Sequence, residues 1–327
     1  MSVGERARGL AYWTLDRVRG GRVAFHHQDL ALQDGAPELL AERQTERLQD
    51  LLSHACRTTA YYAPFAGATE LSQFPVLQKR FIRERHADFL SSAYPSDSLT
   101  TRTTSGSYGT PLAFYLTREK MLRHQAEIIY YARWAGYEVG CRHVQTRFMV
   151  IPSRLKLWML NRVVMNPTSM TEEWLAAQRE MLRTESIKFI VSFPSVLAGI
   201  ASYCRTCGDT PDDYRLRGII ATAEQLSEDA RSLIETTFGC PVLSRYTAEE
   251  LGILAQECPT GKQHHLNGGS HVIEVLDRDR DVPAAPGEAG RVVVTDLWSH
   301  AMPLIRYELG DIAVMGERCA CGWKGRC

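Results

Sequence analysis

Apolar residues near the start of the chain recur at helical spacing. Over residues 5–18, leucine, tryptophan and valine alternate with arginine, and Gly20 and Gly21 follow. This pattern predicts one amphipathic helix that ends at the two glycines. Its apolar residues could pack against the rest of the protein or contact a membrane surface, and we favour packing. A second helix is predicted over residues 41–56, where leucine and alanine recur three or four positions apart.

The middle of the chain alternates helical spacing with short apolar runs. The predicted helices lie near residues 119–135, 171–184 and 227–238. The apolar runs lie at residues 189–191, 218–221 and 242–243. Because short apolar runs between helices are typical of buried strands, the alternation indicates an α/β fold with a largely parallel sheet.

The pattern changes after Gly252. β-branched residues dominate 272–276 and 292–295, and a charged, turn-rich segment separates them. These features predict antiparallel strands in a β subdomain. The expected segments are an N-terminal helical extension (1–45), an α/β core (46–252) and a β subdomain (253–327).

Charge and apolar content narrow the class of protein. The 38 basic residues balance the 38 acidic residues, whereas a protein whose main partner is nucleic acid carries a basic surplus. A small-molecule ligand therefore fits better than nucleic acid. No apolar run reaches the length of a signal-peptide core or a membrane span, which predicts a cytoplasmic protein without a membrane-spanning segment.

The nine cysteines include a candidate metal site. Their odd number, without a secretory signal, argues against a disulfide framework and favours reduced thiols or metal ligands. Cys258 precedes His264 and His265 in one turn, and Cys319 and Cys321 lie in another. Three thiolates and one imidazole form a common ligand set of tetrahedral zinc, and either histidine is a candidate for the imidazole.

One glycine-containing segment has the composition of a phosphate loop. Residues 104–111 contain two glycines, so the backbone can approach a polyphosphate closely. Amide and hydroxyl groups of the same segment can donate to phosphate oxygens. The alternative is an ordinary Ser/Gly turn.

Two acidic segments could contact the rest of a nucleotide. Residues 245–252 follow the predicted strand at 242–243, and a carboxylate at the end of a parallel strand can hold Mg²⁺. The alternative there is a helix start that bears surface glutamates. Residues 304–311 begin with apolar side chains and end in Asp311, whose carboxylate can accept both hydrogen bonds of a ribose diol. A simple Gly-Asp turn is the alternative.

In their order along the chain, these segments resemble the motifs of the adenylate-forming enzymes of the acyl-CoA synthetase superfamily. The resemblance is to the branch of phenylacetate-coenzyme A ligases and capsular-biosynthesis ligases. The matching segments are residues 74–79 (part of that branch's opening), 104–111 (TSGSTGxP), 193–195 (FPS), 223–224 (GAE), 246–250 (YGxTE) and 306–311 (RYxxGD). The resemblance implies the large N-terminal core of that fold with a β subdomain toward the C-terminus, without the family's small C-terminal lid domain.

The resemblance also implies roles for individual residues. The residues implied to bind the ATP phosphates are Thr104, Ser105, Gly106, Ser107 and Gly109. Those implied to contact the rest of the nucleotide are Ala223, Glu224 and Tyr246 at the adenine and Asp311 at the ribose. The implied catalytic residues are Glu250, as the Mg²⁺ ligand, and Arg306, near the ribose or phosphates. The implied ligands of a structural zinc are Cys258, His265, Cys319 and Cys321.

The implied activity is ATP-dependent activation of a carboxylic acid. The carboxylate attacks the α-phosphate, and acyl-AMP and pyrophosphate form. The acyl group then passes to coenzyme A, a carrier protein, an amine or an alcohol, and a partner protein or domain could supply this second half-reaction. An aryl or arylacetic acid is the expected substrate, and the acid pocket is expected to draw on residues 130–148 and 192–195.

Departures from the family motifs leave two alternatives open. Tyr108 stands in place of a small hydroxyl residue, Thr247 in place of glycine and Glu249 in place of threonine. One alternative is a transferase that uses the same scaffold without adenylation. The other is a degenerate nucleotide-binding or partner-scaffolding protein.

Overall fold

The computed structural model describes residues 1–103, 111–146, 154–317, 319–322 and 327. The chain divides into two compact units, and each is assembled from separate stretches of sequence. The first unit comprises Met1–His27, Ala126–Thr247 and Gln256–His264. The second comprises Gln28–Gln125, Ala248–Ala255 and His265–Cys327. The segment boundaries expected after residues 45 and 252 stay predictions.

Helices and strands alternate through most of the described chain. The helices are α1 (Val3–Val18), α2 (Arg22–Gly35), α3 (Pro37–Thr58), α4 (Lys79–Glu84), α5 (Arg118–Ala132), α6 (Arg154–Leu160), α7 (Glu172–Thr184), α8 (Pro194–Thr206) and α9 (Glu228–Phe238). The first seven strands are β1 (Leu77–Gln78), β2 (Thr100–Thr103), β3 (Ala113–Leu116), β4 (His143–Thr146), β5 (Arg162–Met165), β6 (Phe189–Ser192) and β7 (Gly218–Thr222). The remaining strands are β8 (Val242–Ala248), β9 (Gly252–Glu257), β10 (His264–Leu266), β11 (His271–Leu276), β12 (Ala289–Asp296) and β13 (Tyr307–Val314).

The first unit is built on parallel strands in the order β8-β7-β6-β4-β5. The strand order of this sheet continues from β8 to β9 and β10. Parallel strands need helical crossovers, and α7, α8 and α9 follow β5, β6 and β7 in the chain. The α/β fold with a largely parallel sheet that the sequence predicts is therefore confirmed.

Alternate residues of the central strands enter two different cores. In β7, Ile219 packs in a cluster with buried residues of α8 and α9, whereas Ile220 packs in a second cluster with Ala132 and Cys141. In β8, Val242 and Leu243 divide between the same two clusters. A strand that is covered on both faces needs apolar side chains at successive positions. This is why these strands read as continuous apolar runs.

The second unit contains the antiparallel strands that the β-branched segments predict. β12 pairs antiparallel with β11 and with β13, and the short β1 pairs in parallel with β13. β2 and β3 form a separate antiparallel pair. Among the described residues, no helix has both the length and the apolar character required to cross a bilayer.

His143, the first residue of β4, makes the stability of the first unit depend on pH. The residue is 3% exposed. Arg162 Nε donates to Nε2 at 3.1 Å, and Nδ1 lies 3.0 Å from the Cys141 carbonyl oxygen, which suits a neutral ring with its proton on Nδ1. Burial, reinforced by the Arg162 charge, lowers the pKa of His143 from 6.5 to about 4.

The free energy of unfolding is therefore expected to fall between pH 7.5 and pH 5. Because the unfolded chain binds a proton near pH 6.5 and the folded chain only near pH 4, the contribution of His143 is complete above 6.5 and is lost toward 4. The loss by pH 5 is about 2 kcal/mol. Urea unfolding at both pH values measures the total change, and NMR titration of the His143 ring assigns its share. An apparent pKa near 6.5 for this ring would contradict the expectation.

Candidate functional site

The carboxyl ends of β6, β7 and β8 lie side by side in the first unit. Their register pairs Ser192 with Ala221 and Thr222 with Arg245. Residues 193–195 and 223–224 directly follow β6 and β7, and residues 246–247 lie in the last part of β8. The sequence resemblance marks all three segments as nucleotide or acid contacts. Ligands of parallel α/β sheets collect at such carboxyl ends. The parallel pairing thus brings three separate motifs to one edge of one sheet.

A direct contact joins two of these motifs. Ser195 donates to Glu224 from its backbone nitrogen and from its hydroxyl, each at 3.0 Å. Ser195 belongs to the first turn of α8, where a carboxylate is favourable because the amide groups there lack helical partners. Ala223 has a φ of 66°, a left-handed conformation that non-glycine residues adopt rarely. Both Ser195 and Glu224 remain exposed, so a ligand can reach them.

β8 extends further than its apolar run predicts. The strand continues through Tyr246 to Ala248, so the alternative of a helix start at this point is wrong. Thr222 stabilises the extension because its hydroxyl lies 3.2 Å from the hydroxyl of Thr247. Arg245 of β8 donates from Nε to Oε1 of Gln256 in β9 at 2.8 Å. Burial lowers the pKa of Arg245 to about 9. The sequence resemblance implies no role for this buried arginine.

Glu250, the predicted magnesium ligand, is buried and held on one oxygen. The Tyr307 hydroxyl donates to Glu250 Oε1 at 2.6 Å, and Lys79 Nζ lies 3.6 Å from the same atom. Glu250 is 6% exposed. Burial first, and then the neighbouring Glu250 charge, raise the pKa of Tyr307, so the phenol stays protonated and remains a donor. Within the described part of the chain both of these contacts are to Oε1, which makes Oε2 the candidate oxygen for binding a cation.

Strand pairing explains how Lys79 and Tyr307 meet at Glu250. β1 pairs in parallel with β13, with Leu77 opposite Tyr307, and Lys79 follows β1 directly as the first residue of α4. Lys79 and Tyr307 lie in segments that resemble the family, but the resemblance implies no role for either residue. Because the three residues are far apart in the chain, only tertiary contacts could reveal their association.

The predicted phosphate loop connects β2 to β3. Its residues Thr104, Ser105, Gly106, Ser107 and Gly109 lie outside the described residues. The flanking strands pair antiparallel up to Thr103 and Ala113. On β2, the Arg102 guanidinium forms a 3.3 Å ion pair with Glu249, the neighbour of Glu250 in the chain. The contact places one arm of the loop beside the segment of the predicted magnesium ligand.

Arg306, the second predicted catalytic residue, is occupied by contacts inside the second unit. It is 4% exposed and has a φ of 50°. Its guanidinium pairs with both oxygens of Glu274 at 3.2 Å and donates to the Phe74 carbonyl oxygen at 2.9 Å. These contacts use all three guanidinium nitrogens. A nucleotide would have to compete with Glu274 and Phe74 for the N–H groups of Arg306. We therefore expect Arg306 to position the start of β13.

Asp311 lies in a strand and not in the expected Gly-Asp turn. The register of β12 against β13 shifts between Arg291 and Val293, whose partners are Ile312 and Glu308. The residues between those partners form a bulge, and Gly310 has a φ of 88°. Asp311 is exposed in this bulge. The alternative of a simple turn is wrong, because β12 pairs with β13 both before and after Asp311.

The predicted zinc ligands come together. One ligand atom from each of Cys258, His265, Cys319 and Cys321 lies within 4.8 Å of the others. Zn–S bonds of about 2.3 Å and Zn–N bonds of about 2.0 Å in a tetrahedron require ligand atoms roughly 3.5–4 Å apart. The four residues therefore fit a tetrahedral zinc ion, and the buried positions of all but Cys321 suit a structural site.

The structure also separates the two candidate histidines. His264 and His265 are consecutive residues of β10, and successive side chains of a strand point to opposite faces. His265 is 2% exposed, and its Nε2 lies 3.5 Å from Cys321 Sγ. His264 is absent from the group of candidate ligands in the described chain. The β geometry thus favours the histidine that the sequence resemblance implies.

The chain is similar to curated proteins over most of its length. No protein-family model matches the chain. Phenylacetate-coenzyme A ligase of Thermus thermophilus is 25% identical over 308 residues, which span 87% of this chain and 68% of the relative. Protein CapK of Staphylococcus aureus is 22% identical over 83% of this chain and 62% of its own length. The chain thus spans about two thirds of the length of the curated relatives it matches.

A solved structure shares the fold. The open conformation of 2-hydroxyisobutyryl-CoA ligase, in complex with 2-HIB-AMP and CoA, superposes with a TM-score of 0.71 at 17% identity. The match covers 86% of this chain and 71% of the ligase chain. At this identity the similarity establishes the architecture.

Proposed function

We propose that this chain is a member of the adenylate-forming superfamily, in the branch of phenylacetate-coenzyme A ligase and CapK, and that it activates a carboxylic acid with ATP. The observation that carries the proposal is the environment of Glu250. A buried carboxylate is held by Tyr307 and Lys79, and the Arg102–Glu249 ion pair brings the arm of the predicted phosphate loop to the same segment. Oxygen ligands beside a phosphate loop are what a magnesium nucleotide requires.

In the proposed reaction, a carboxylate oxygen of the acid attacks the α-phosphorus of ATP. The bond from that phosphorus to the bridging oxygen breaks, and pyrophosphate leaves with the bond's electron pair. A bound magnesium ion would neutralise the charge that develops on the phosphates. Glu250 would hold that ion, Tyr307 would fix the orientation of the carboxylate, and the Lys79 ammonium would balance its charge. Catalysis would come from alignment and from prearranged charge.

The other nucleotide contacts are proposed from the sequence resemblance. Ala223, Glu224 and Tyr246 would contact the base and Asp311 the ribose. The residues that would bind the phosphates are Thr104, Ser105, Gly106, Ser107 and Gly109. The Ser195–Glu224 contact supports the first set, because it shows these motifs meeting at a carboxyl edge of the sheet. Magnesium, zinc and a cytoplasmic location are likewise proposals.

The proposed product is an acyl-CoA made from an aryl or arylacetic acid. The support is that the Thermus relative is a phenylacetate-coenzyme A ligase, and that the solved structure of 2-hydroxyisobutyryl-CoA ligase contains 2-HIB-AMP and CoA. A carrier protein, an amine or an alcohol would replace coenzyme A as acceptor without changing the first half-reaction.

Pyrophosphate release tests the proposal. The purified chain is incubated with ATP, Mg²⁺ and one acid from a panel of benzoic, phenylacetic and fatty acids, and mass spectrometry detects acyl-AMP. We expect pyrophosphate to appear only with an accepted acid, and acyl-CoA to appear when coenzyme A is added. ATP binding in a thermal-shift assay without release from any acid would favour the nucleotide-binding scaffold, and acyl transfer without pyrophosphate would favour the non-adenylating transferase.

A further inference from the structure

Helix α1 has two faces of different character. Its inner face packs closely, since a Cβ at Gly9 would lie 2.5 Å from the Val139 carbonyl oxygen. Its outer face carries Val3, Leu10 and Val18, which are 84%, 71% and 78% exposed. These three lie seven and eight residues apart, about two helical turns, so they form one stripe along the helix. The packing that the sequence predicts accounts for the inner face only.

The acidic residues of α1 are used inside the protein. Glu5 binds Lys188 and accepts from the backbone nitrogen of Arg142 at 3.1 Å. Burial alone would raise the pKa of Glu5, but the hydrogen bonds from Lys188 and the backbone outweigh it and lower the pKa to about 2. Asp16 accepts from the backbone nitrogens of Val23 and Ala24 at 3.2 and 2.9 Å and so caps α2. Neither carboxylate offsets basic charge on the outer face.

Exposed arginines therefore set the charge beside the apolar stripe. Arg6 and Arg17 are exposed on α1, and Arg19 is exposed just after it. Arg6 and Arg17 fall on the same side of the stripe by helical periodicity. The surface combines apolar side chains with positive charge, although the whole chain carries no net charge.

Helix α6 extends the same kind of surface. Trp158 is 63% exposed and Met159 is 42% exposed. The Arg8 guanidinium lies 5.1 Å from the centre of the Trp158 ring, so this part of α6 adjoins α1. Tryptophan prefers the boundary between water and hydrocarbon, because its ring is apolar and its N–H is polar.

We propose that the outer surface of α1, with Trp158 and Met159 beside it, binds the anionic surface of a lipid bilayer. An apolar stripe flanked by arginines matches a membrane interface, where acyl chains lie beneath phosphate groups. Charge complementarity favours this occupant over a neutral protein surface, since arginines near an anionic bilayer gain attraction additively. The helix would lie in the plane of the membrane and would not cross it. None of the residues of this surface is among those proposed to bind the nucleotide.

Vesicle co-sedimentation tests this proposal on the full chain. The probes are sucrose-loaded vesicles of phosphatidylcholine alone and of phosphatidylcholine with about one third phosphatidylglycerol. We expect binding to the mixed vesicles that weakens as salt rises. An Arg6→Gln/Arg17→Gln variant should bind roughly 25-fold more weakly, because each arginine contributes about fivefold. Leu10→Ser should bind about tenfold more weakly, because it removes an apolar anchor.

Matched controls separate the surface from general effects of substitution. Val282 is 45% exposed and Arg205 is exposed, and neither belongs to α1 or α6, so Val282→Ser and Arg205→Gln should bind as the unaltered chain does. Circular dichroism confirms folding of each variant. Absence of binding to the mixed vesicles would overturn the proposal, as would equal losses in the control variants. Self-association that Leu10→Ser abolishes, without vesicle binding, would assign the surface to a second copy of the chain instead.

Discussion

A Glu250→Gln variant is expected to release pyrophosphate about 10²–10⁴-fold more slowly than the unaltered chain when an accepted acid is present. Glutamine has nearly the same shape and can still accept the hydrogen bond from Tyr307, so the buried environment should stay intact. The substitution removes the negative charge that would hold Mg²⁺. Initial rates measured over a range of Mg²⁺ concentrations with an accepted acid give the comparison. Circular dichroism and thermal unfolding establish that the variant is folded.

The neighbouring glutamate provides a matched control. Glu249 is exposed and pairs with Arg102 at 3.3 Å on the surface, where ion pairs contribute less than about 1 kcal/mol. Glu249→Gln should therefore change the rate by only a few-fold. If Glu250→Gln kept the full rate and the same Mg²⁺ dependence, Glu250 would have no part in the reaction. Equal losses in both variants would indicate a general disturbance of the loop arm.

Loss of the proposed zinc ion from its three cysteines and one histidine is the second change with a large expected effect. The purified chain should contain about one zinc ion, because three thiols and one imidazole are brought within 4.8 Å of one another. A ligand present at about 1,000 times its dissociation constant stabilises the folded state by about 4 kcal/mol. Removing the metal with a chelator, or replacing Cys319 with serine, should lower the Tm by roughly 10 °C. Elemental analysis and calorimetry measure the two effects.

Adjacent histidines supply the control for the metal site. His265→Gln should lose zinc and stability, whereas His264→Gln should retain both, because only His265 lies with the three cysteines. A chain that contains no zinc and whose Tm is insensitive to chelation would refute the site. Retention of zinc in His265→Gln with loss in His264→Gln would reverse the ligand assignment.

Periodicity in the sequence was sufficient for the architecture. The runs at 218–221 and 242–243 are apolar at successive positions because β7 and β8 are covered on both faces, and this alone indicates a parallel sheet between layers. The β-branched segments near 272 and 292 likewise became β11 and β12. These features depend on local spacing and on burial of apolar surface, which a linear pattern records. The order of the motifs indicated a resemblance to the phenylacetate-coenzyme A ligase branch, and a curated relative of that name matches this chain at 25% identity.

Two secondary-structure alternatives from the sequence were wrong, because pairing between distant strands outweighed the local pattern. Residues 245–248 continue β8 and do not start a helix. The parallel register with β7 reaches Arg245, and the Thr222 hydroxyl lies 3.2 Å from the hydroxyl of Thr247. Asp311 lies in a bulge because β12 pairs with β13 on both sides of it. A glycine followed by an acid is compatible with either a turn or a bulge, and the neighbouring strand determines which one forms.

By itself, the sequence determined which residue types are present to bind phosphate, a cation and zinc, and the order in which they occur. Only the tertiary structure decided which of them meet. It brought Lys79 and Tyr307 to Glu250, Ser195 to Glu224, and His265, instead of His264, to the cysteines. The physical reason is that each contact joins segments far apart in the chain, or depends on the face to which a strand residue points. Strand register and helix placement set both, and these arise from the packing of the whole unit.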